Sequence, residues 1–374
     1  MDLVFVANYN LRPCKAQYLW WYLVMLEKFP EALFVVTEEY LNVDPNRWEL
    51  KRMKEINPKF VFEKPKNYVL IDKPEDWPVL KDIKNPADIF RKCTKENIWY
   101  LHTFLEDIIE KYDIKTAYST CNNWTLYSTC LDYKIPVLHQ EVGPLRYPYF
   151  YDTAYLDFMG VNGNTEFFYR FDKFKEFRKE VKLYSREELL RIVTKPEHYS
   201  YVKNLLEAKP TYDCGVALQV DVDSNTIAFN EGWTTADLIN KAIKDYGRVL
   251  VRNHPSASIH FTNPKSLGGG VLDNSKDSLE FISKCKKIMT INSSVGFQAI
   301  LMGKEVEILG DNPFREVPVM SEEDKLLALN FAIFSYLVPS DIFGNKEYYE
   351  FRKLERNEKI LYNKGMELTL KGKK

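Results

Sequence analysis

The sequence predicts an α/β protein in which parallel β-strands alternate with helices. The main observation is that three strand-like segments end in clusters of polar side chains. Cys214 to Val220 leads into Asp221-Val-Asp-Ser-Asn225, Arg248 to Arg252 into Asn253-His254-Pro255, and Lys287 to Ile291 into Asn292-Ser293-Ser294. The carboxyl ends of parallel strands meet at one edge of a sheet, where ligands bind in open α/β folds. The three clusters therefore predict a ligand site at that edge.

The amino-acid composition indicates a globular protein and excludes some other classes of protein. The 374 residues are enough for two domains, and 45% hydrophobic with 14% aromatic content excludes a disordered chain. The 52 basic residues are balanced by 53 acidic ones. Nucleic-acid-binding proteins usually carry a basic excess, so no nucleic-acid partner is expected.

The cysteines and the apolar runs indicate a soluble cytoplasmic protein. The six cysteines form no CxxC pair, and they stand at positions 14, 93, 121, 130, 214 and 285. This usage predicts reduced, buried thiols, with neither a disulfide framework nor a zinc site. The longest apolar stretch, Tyr18 to Leu26, is about half the length needed to cross a bilayer. The first residues also lack the basic region of a signal peptide.

The first half of the chain begins like a parallel α/β domain. A strand at Leu3 to Ala7, a polar loop at 8–13, a helix at 15–28 and a strand at Ala32 to Thr37 follow one another. Residues 44–97 are charged and proline-spaced and give no clear elements. Further along, the pattern predicts a helix near residues 86–112 and core strands at Thr116 to Thr120 and Pro136 to Gln140, with a helix between those two strands.

The second half reads as a Rossmann-like set of alternating strands and helices. Strands are predicted at 214–220, 248–252, 270–272, 287–291 and 305–309, and helices at 235–246, 277–285 and 294–303. No GxGxxG motif is present, so no dinucleotide is expected. Residues 322–338 and 346–363 have helical patterns. With a linker at 209–213, the predicted domains are 1–209, 210–320 and a set of C-terminal helices at 321–374.

A phosphate site is predicted where the strand ending at Ile291 passes into a helix. Ser293 and Ser294 supply hydroxyls beside the free N–H groups of a helix N-terminus, which bind phosphate, and Gly296 lets that helix approach closely. Arg252 and His254 would add cationic groups beside it. The alternative for these serines is ordinary N-capping of the helix.

Asp221-Val222-Asp223 matches DxD, which chelates a metal in one class of nucleotide-sugar transferases. Two carboxylates and diphosphate oxygens suit a hard divalent cation. Here, however, the triplet opens the second domain and precedes a separate His and Ser phosphate site. That placement favours a donor with a single phosphate, which needs no metal.

A second polar cluster follows the strand at 136–140. His139, Glu141 and Arg146 flank a Gly143-Pro144 turn at the carboxyl end of that strand. These side chains are candidates for a substrate site on the first domain. The alternative is a turn with solvated charges.

Taken in order, four motifs resemble those of bacterial β-Kdo transferases, which add 3-deoxy-D-manno-oct-2-ulosonic acid (Kdo) to capsule linkers and O-antigens. The motifs are Gln219-Val-Asp-Val-Asp-Ser224, Val249-Leu-Val-Arg-Asn-His-Pro255, Asn292-Ser-Ser-Val-Gly-Phe-Gln-Ala-Ile-Leu-Met-Gly303 and Asp311-Asn-Pro-Phe314. The resemblance covers mainly residues 214–314. Gln298 stands where the capsule branch usually has glutamate, and the aromatic and glycine run expected after Phe314 is absent. The capsule and O-antigen branches therefore both remain open.

The resemblance implies two Rossmann-like domains facing across a cleft in a GT-B-like fold. Residues 1–209 would form the acceptor side and 210–320 the CMP-sugar domain, with the helices of 321–374 packing back across the cleft or extending the second domain. It also implies CMP-β-Kdo as donor and transfer with retained anomeric configuration. Since a direct in-line attack inverts, two displacements through a covalent adduct are a coherent route.

The resemblance also assigns roles to individual residues. Asp223 would be the nucleophile, with Asp221 as the alternative, and Glu141 would act as acid/base or acceptor ligand. His139, Arg146 and Gln219 would contact the acceptor or the donor sugar. The nucleotide and its phosphate would be held by six residues: Arg252, His254, Ser293, Ser294, Gly296 and Asn312.

Three other functions remain open from the sequence: a sialyltransferase-like enzyme with another CMP-linked keto sugar acid, a metal-dependent hexosyltransferase that uses the DxD, and a binding module without turnover. The expected partners are CMP-Kdo and a glycan or glycolipid acceptor. The expected location is the cytoplasm, with action at the inner face of the inner membrane. Basic residues of the C-terminal helices would make a peripheral membrane contact there: Arg352, Lys353, Arg356, Lys359, Lys364, Lys371, Lys373 and Lys374.

Overall fold

The computed structural model describes residues 1–7, 16–73, 87–91, 99–257 and 268–371. The predicted loop 8–13 and part of the helix predicted near 86–112 lie outside the described residues, as do Lys373 and Lys374.

The first half contains six described strands and nine described α-helices. The strands are β1 (Asp2–Phe5), β2 (Leu33–Val36), β3 (Asn67–Leu70), β4 (Thr116–Ser119), β5 (Val137–Val142) and β6 (Thr153–Asp157). The helices are α1 (Ala16–Lys28), α2 (Glu38–Leu41), α3 (Trp48–Ile56), α4 (Asp88–Arg91), α5 (Trp99–Tyr112), α6 (Trp124–Asp132), α7 (Phe167–Phe174), α8 (Arg186–Val193) and α9 (Pro196–Glu207). Residues 44–97, which gave no clear pattern, thus contribute α3, β3 and α4.

The second half alternates strands and helices as predicted. The described strands are β7 (Tyr212–Ala217), β8 (Val249–Arg252), β9 (Gly270–Leu272), β10 (Cys285–Thr290), β11 (Glu305–Ile308) and β12 (Leu337–Pro339). The described α-helices are α10 (Ser224–Phe229), α11 (Thr235–Tyr246), α12 (Ser278–Ser283), α13 (Ser294–Leu301), α14 (Glu322–Phe331), α15 (Lys346–Leu354) and α16 (Glu358–Lys371). A π-helical segment, Ala332–Tyr336, follows α14 and leads into β12, so the predicted helix over 322–338 ends early.

Two sheets organise these elements. The seven-stranded sheet has the order β12-β6-β5-β4-β1-β2-β3, and within it β3, β2, β1, β4 and β5 pair in parallel while β12 pairs antiparallel with β6. The five-stranded sheet, β11-β10-β7-β8-β9, is parallel throughout. Parallel sheets need crossover connections, which the helices supply. The predicted α/β class with Rossmann-like sheets is confirmed.

Each sheet has its own apolar core. Leu3, Phe5 and Val35 pack with Leu105 of α5 and Leu126 of α6 in the first. Cys214, Val216 and Met289 pack with Leu238 and Ala242 of α11 in the second. Central strands such as β2, β4 and β8 are buried at successive positions, which is why they read as continuous apolar runs, whereas the edge strand β3 alternates.

The chain divides into two compact units that are both discontinuous. The first comprises Met1–Glu141, Leu156–Val161 and Asp341–Glu355, and the second comprises Val142–Tyr155, Asn162–Ser340 and Arg356–Lys374. The predicted boundary at 209 does not coincide with this division. One reason is that α7 of the predicted first domain is tied to α16 by buried contacts of Arg170 with Glu358. The predicted arrangement across a cleft stays a prediction.

Candidate active site

A network of carboxamide side chains lies at the carboxyl edge of the five-stranded sheet, centred on Asn292. Asn292 is buried, and its Nδ2 donates to Asn225 O, Asn225 Oδ1 and Phe229 O at 3.1–3.2 Å. Gln219 Nε2 donates to Asn292 Oδ1 at 2.6 Å, and Asn292 N donates to Gln219 Oε1 at 2.9 Å. Asn312 Nδ2 donates to Asn292 O at 3.1 Å. The network fixes the segments after β7, β10 and β11 to one another.

Asp223 caps the short helix α10. Its Oδ1 accepts from Asn225 N at 2.9 Å, and its backbone is extended, as an N-cap requires. The side chain is half-buried, whereas Asp221 is exposed and accepts a short hydrogen bond from the Thr235 hydroxyl at the start of α11. Both carboxylates of the DxD triplet therefore accept hydrogen bonds at the beginnings of helices.

Ser293 and Ser294 lie at the predicted strand-to-helix transition. Ser293 is the N-cap of α13, where its Oγ accepts from Val295 N at 3.2 Å, and Ser294 is the first helical residue. A Cβ on Gly296 would lie 3.2 Å from Ile308 Cδ1 and 3.4 Å from Thr290 Cγ2. The predicted close approach of this helix to β10 and β11 is thus present, together with the N-capping alternative for Ser293.

His254 and Arg252 lie at the end of β8. His254 Nδ1 accepts from Ser256 N at 3.1 Å. Arg252 Nη1 contacts the buried Asp273 carboxylate at 2.5 Å and also donates to Ser275 O at 3.1 Å. Arg252 therefore has a structural partner that the sequence pattern did not reveal.

Asn312 and Asp311 belong to the segment after β11. Asn312 is buried, and its Oδ1 accepts from Phe314 N at 2.8 Å, so it stabilises the turn as well as contacting Asn292. Asp311 Oδ2 accepts from Asn164 N at 2.9 Å, and burial raises the pKa of Asp311 above its ordinary value. A Cβ on Gly163 would meet Phe229 and Asp311, so only glycine fits this contact.

His139 and Glu141 lie on β5 in the first unit. His139 is fully buried and packs against the Tyr127 ring at a centroid distance of 5.9 Å. Glu141 is half-buried at the end of the strand and interacts electrostatically with Tyr18 and Cys121. Burial is the main cause of the raised pKa of Tyr18, and the neighbouring Cys121 and Glu141 raise it further. Burial also raises the pKa of Cys121 to about 12. The burial of His139 gives it the surroundings of a core residue.

Arg146 follows the Gly143-Pro144 turn but belongs to the second unit. It is exposed, and its guanidinium donates to Gly143 O at 2.7 Å and Val142 O at 3.3 Å. Gln298 of α13 donates from Nε2 to Pro144 O at 2.9 Å and accepts from the Ser278 hydroxyl at 2.9 Å. The Gln298 amide thus supplies an N–H donor that anchors the turn.

Only some of the site residues predicted in the second unit belong to one hydrogen-bond network. Gln219 and Asn312 bond directly to Asn292, and Asp223 joins the same network through Asn225. Sequence reasoning missed the central role of Asn292, which follows β10, and of Asn225, which lies in the first turn of α10. A buried amide must satisfy its hydrogen bonds locally, and this is the signal that could have identified Asn292.

Four cysteines in the described part of the chain, Cys121, Cys130, Cys214 and Cys285, are free and buried, as predicted. Burial raises their thiol pKa values to about 12. Within the described ranges, no group of three His, Cys, Asp or Glu side chains is placed to hold a metal ion.

The C-terminal basic residues are largely engaged within the protein. Arg352 is buried under the Phe158 ring, whose centroid is 5.3 Å from its guanidinium carbon. Lys353 pairs with Glu350, Lys359 with Glu180, and Lys364 and Lys371 both with Glu367. Of the helices that the structure describes, none is long and apolar enough to span a bilayer. The membrane contact stays a prediction.

Comparison with protein families identifies two matched segments. Residues 78–166 match the N-terminal domain of the glycosyltransferase 99 family, and residues 271–326 match the capsule polysaccharide biosynthesis protein family. The first segment contains His139, Glu141 and Arg146, and the second contains Ser293, Ser294 and Asn312. Over the residues they cover, the two matches bear out the predicted resemblance at the level of a glycosyltransferase family and a capsule polysaccharide biosynthesis family.

Solved structures give more distant likenesses. The β-Kdo 2,7-transferase of KpsC from Thermosulfurimonas dismutans is 14% identical, with 83% of this chain and 97% of that chain covered and a TM-score of 0.39. The β-Kdo 2,4-transferase of the same KpsC is 14% identical, with coverages of 67% and 90% and a TM-score of 0.38. The UDP-GlcNAc 2-epimerase of Neisseria meningitidis is 12% identical over the whole of both chains, with a TM-score of 0.28. No curated protein sequence matches the chain. The fold class is assigned from the sheet topology, because the sequence identities and TM-scores of these structures are low.

Proposed function

We propose that the protein is a retaining β-Kdo transferase that moves Kdo from CMP-β-Kdo to a hydroxyl of a cell-surface glycan, in capsule or O-antigen synthesis. The observation that carries the proposal is the carboxamide network around Asn292. It holds the segments after β7, β10 and β11 at one sheet edge, with Asp223 and Ser293 at helix starts on the same edge. The two matched family segments support the same class of enzyme.

The donor phosphate is assigned to the N-terminus of α13. The first backbone N–H groups of a helix have no intrahelical partner, and the helix dipole adds positive potential there. Ser293 and Ser294 supply hydroxyls at that point, and His254 is proposed to supply an imidazole from the end of β8, two strands away in the sheet. Arg252 lies at the same edge, where its charge is balanced by its pair with Asp273. A single phosphate needs no further counter-charge, so we propose that no metal takes part.

Asp223 is assigned as the nucleophile. In the first step its carboxylate attacks the anomeric carbon of Kdo, and the bond to the CMP phosphate oxygen breaks, with CMP as leaving group. In the second step the acceptor hydroxyl attacks the same carbon, the bond to Asp223 breaks, and a base takes the hydroxyl proton. Two inversions give retention. Glu141 of the first unit is the proposed base, and Arg146 and Gln219 are the proposed sugar contacts, whereas the burial of His139 removes it from that role.

The role of Asp223 is testable because capping and catalysis require different chemistry. Asparagine caps a helix as well as aspartate does, but its amide is not a nucleophile. Asp223→Asn should therefore keep the melting temperature while lowering kcat on the order of 10³-fold or more. Incubation of the unmodified enzyme with CMP-Kdo alone should add one Kdo to the protein, and peptide mapping should place it between Gln219 and Asn225.

The outcomes separate the alternatives. An adduct on Asp221 would transfer the role to that residue, while full activity in Asp223→Asn would limit Asp223 to capping. A donor screen with other CMP-linked keto sugar acids distinguishes a sialyltransferase-like enzyme. If EDTA abolishes transfer and Mg²⁺ or Mn²⁺ restores it, the hexosyltransferase alternative with a metal-binding DxD is correct.

The phosphate site has a separate test. Changing both Ser293 and Ser294 to alanine should weaken CMP binding about tenfold, since hydrogen bonds to charged groups contribute about 1.5–3 kcal/mol. Ser321→Ala is the matched control, because Ser321 caps α14 in the same way and accepts from Asp324 N at 3.2 Å. Equal CMP affinity in the double variant and the unmodified protein, measured by calorimetry, would remove the assignment.

A further inference from the structure

A cavity lies in the second unit, at the opposite edge of the five-stranded sheet from the residues described above. It has a volume of about 480 Å³, and Lys287 near the start of β10 and Glu305 at the start of β11 contribute to its wall. Lys304, Lys325 and Arg186 complete a set of four cations around it. We call this cavity the basic pocket. Its volume is in the range of small-molecule sites.

Two carboxylates, Glu305 and Glu322, line the basic pocket with the four cations, so the charge of the cations is only partly balanced. Lys325 pairs with Glu322 at 2.7 Å, and Arg186 lies 3.5 Å from the same carboxylate, which is largely exposed. Lys287 pairs with Glu307 at 2.7 Å. A single exposed carboxylate thus serves two of the four cations.

Lys304 differs from the other three. Its ammonium donates to the backbone oxygen of Ser283 at 3.2 Å, and within the described ranges it forms no salt bridge with a carboxylate. Burial lowers the pKa of Lys304, with a smaller opposing effect from Cys285. Desolvation of a cation is unfavourable unless a counter-charge compensates it. An anion in the pocket would supply that counter-charge.

Arg186 provides an independent observation. Its Nε is buried and has no hydrogen-bond partner among the described residues. A buried N–H without a partner costs about 1–3 kcal/mol, so such groups are uncommon in native structures. Gly303, with φ of +75°, lies against this side chain, and a Cβ there would be 3.3 Å from Arg186 Nη1. A side chain at position 303 would therefore crowd the guanidinium, and the backbone conformation there favours glycine.

We infer that the basic pocket binds a small phosphate-bearing ligand. The planar guanidinium of Arg186 suits a phosphate geometrically, and Lys304 and Lys325 add point charges, as in many phosphate sites. Because the pocket lies at the amino ends of β10 and β11 while Ser293 and Asn312 follow their carboxyl ends, the ligand would be additional to the nucleotide donor. The inference does not depend on the identity of that donor.

Calorimetric titration with pyrophosphate tests the inference on the full chain. We expect binding that Lys304→Met weakens at least tenfold, since a charge-assisted hydrogen bond is lost. Lys286→Met is the matched control: Lys286 is the neighbouring residue on β10, is exposed, and pairs with Asp213 outside the pocket. Arg186→Lys keeps the charge but removes the planar fork, and should also weaken binding.

Further titrations identify the chemical class of the phosphate ligand and show whether it binds apart from the nucleotide site. Glucose 6-phosphate binding without glucose binding would assign a sugar phosphate, whereas binding of pyrophosphate alone would assign an inorganic anion. Saturating CMP, and the double alanine change at Ser293 and Ser294, should leave pyrophosphate affinity unchanged. The inference is overturned if pyrophosphate does not bind at millimolar concentration, if Lys286→Met weakens binding as much as Lys304→Met, or if CMP competes.

Discussion

At the scale of single residues, Asn292 performs a task that an isosteric carboxylate cannot. Its Nδ2 donates to three oxygen atoms, so Asn292→Asp would place a buried carboxylate oxygen against acceptors. We expect a loss of at least about 2 kcal/mol in the free energy of unfolding, because unsatisfied and repelled buried polar groups are costly. Urea denaturation measures this, and CMP affinity should fall as the sheet edge loosens.

The control for this prediction uses an asparagine whose oxygen alone is needed. Asn345 caps α15 by accepting from Tyr348 N at 2.9 Å, and aspartate caps equally well. Asn345→Asp should therefore change the unfolding free energy by less than about 0.5 kcal/mol. Similar small effects at both positions would contradict the central role given to Asn292.

At the scale of elements, the sequence was most informative where local signals agreed with the fold. Helix α11 has the predicted bounds because Thr234 and Asp237 form a capping box and Gly247 ends it. Helix α10 was not predicted, since Asp223 and the residues after it were interpreted as a polar strand end rather than as a cap and helix. Strand β12 was hidden within a continuous apolar run, and periodicity alone does not separate a buried strand from a buried helix.

The tie between α7 and α16 gives a prediction at this scale. Arg170, buried within α7, bonds Glu358 through Nε and Nη2 at 2.9 and 3.0 Å, and also contacts Glu166 and Ser335. Glu358→Ala should lower the unfolding free energy by about 3 kcal/mol, because removal of one partner leaves an incompletely compensated buried charge. Urea denaturation is the measurement.

A surface pair on the same helix is the control for Glu358. Lys359 bonds Glu180 at 2.8 Å with both side chains partly exposed, so Lys359→Met should change stability by less than about 1 kcal/mol. If the two variants were equally stable, the buried pair would contribute no more than an exposed one. Replacing both Arg170 and Glu358 by apolar residues should recover part of the loss.

At the scale of the whole molecule, the sequence predicted two α/β domains but not which segments of the chain belong to each compact unit. Glu141 lies on β5 and Arg146 follows that strand, yet they belong to different units. Local patterns report burial and turns, whereas membership of a unit depends on contacts between residues far apart in sequence. The same limit explains why Arg252 was assigned to a phosphate while its partner Asp273 was overlooked.

The C-terminal helices are divided between the two units, with α15 in the first and α16 in the second, and this gives a prediction for one buried tyrosine of each helix. Tyr349 of α15 stacks on Phe29 and donates to Gln140 Oε1 at 2.6 Å, whereas Tyr362 of α16 stacks on Phe174. Tyr349→Ala should increase amide hydrogen exchange in β1 and β4, and Tyr362→Ala should increase it in α7. Each change should cost about 3 kcal/mol locally. Exchange that rises equally in both units for both variants would contradict this division.

The return of Asp341–Glu355 to the first unit affects how the protein is made on the ribosome. Domains generally fold as they emerge, the earlier one first. Here the pocket around Phe29 and Tyr118 is filled by Tyr349, which is translated only after the whole five-stranded sheet. The nascent first unit therefore keeps an open aromatic pocket while the second is synthesised, so the later sheet has the chance to fold before the earlier one is complete.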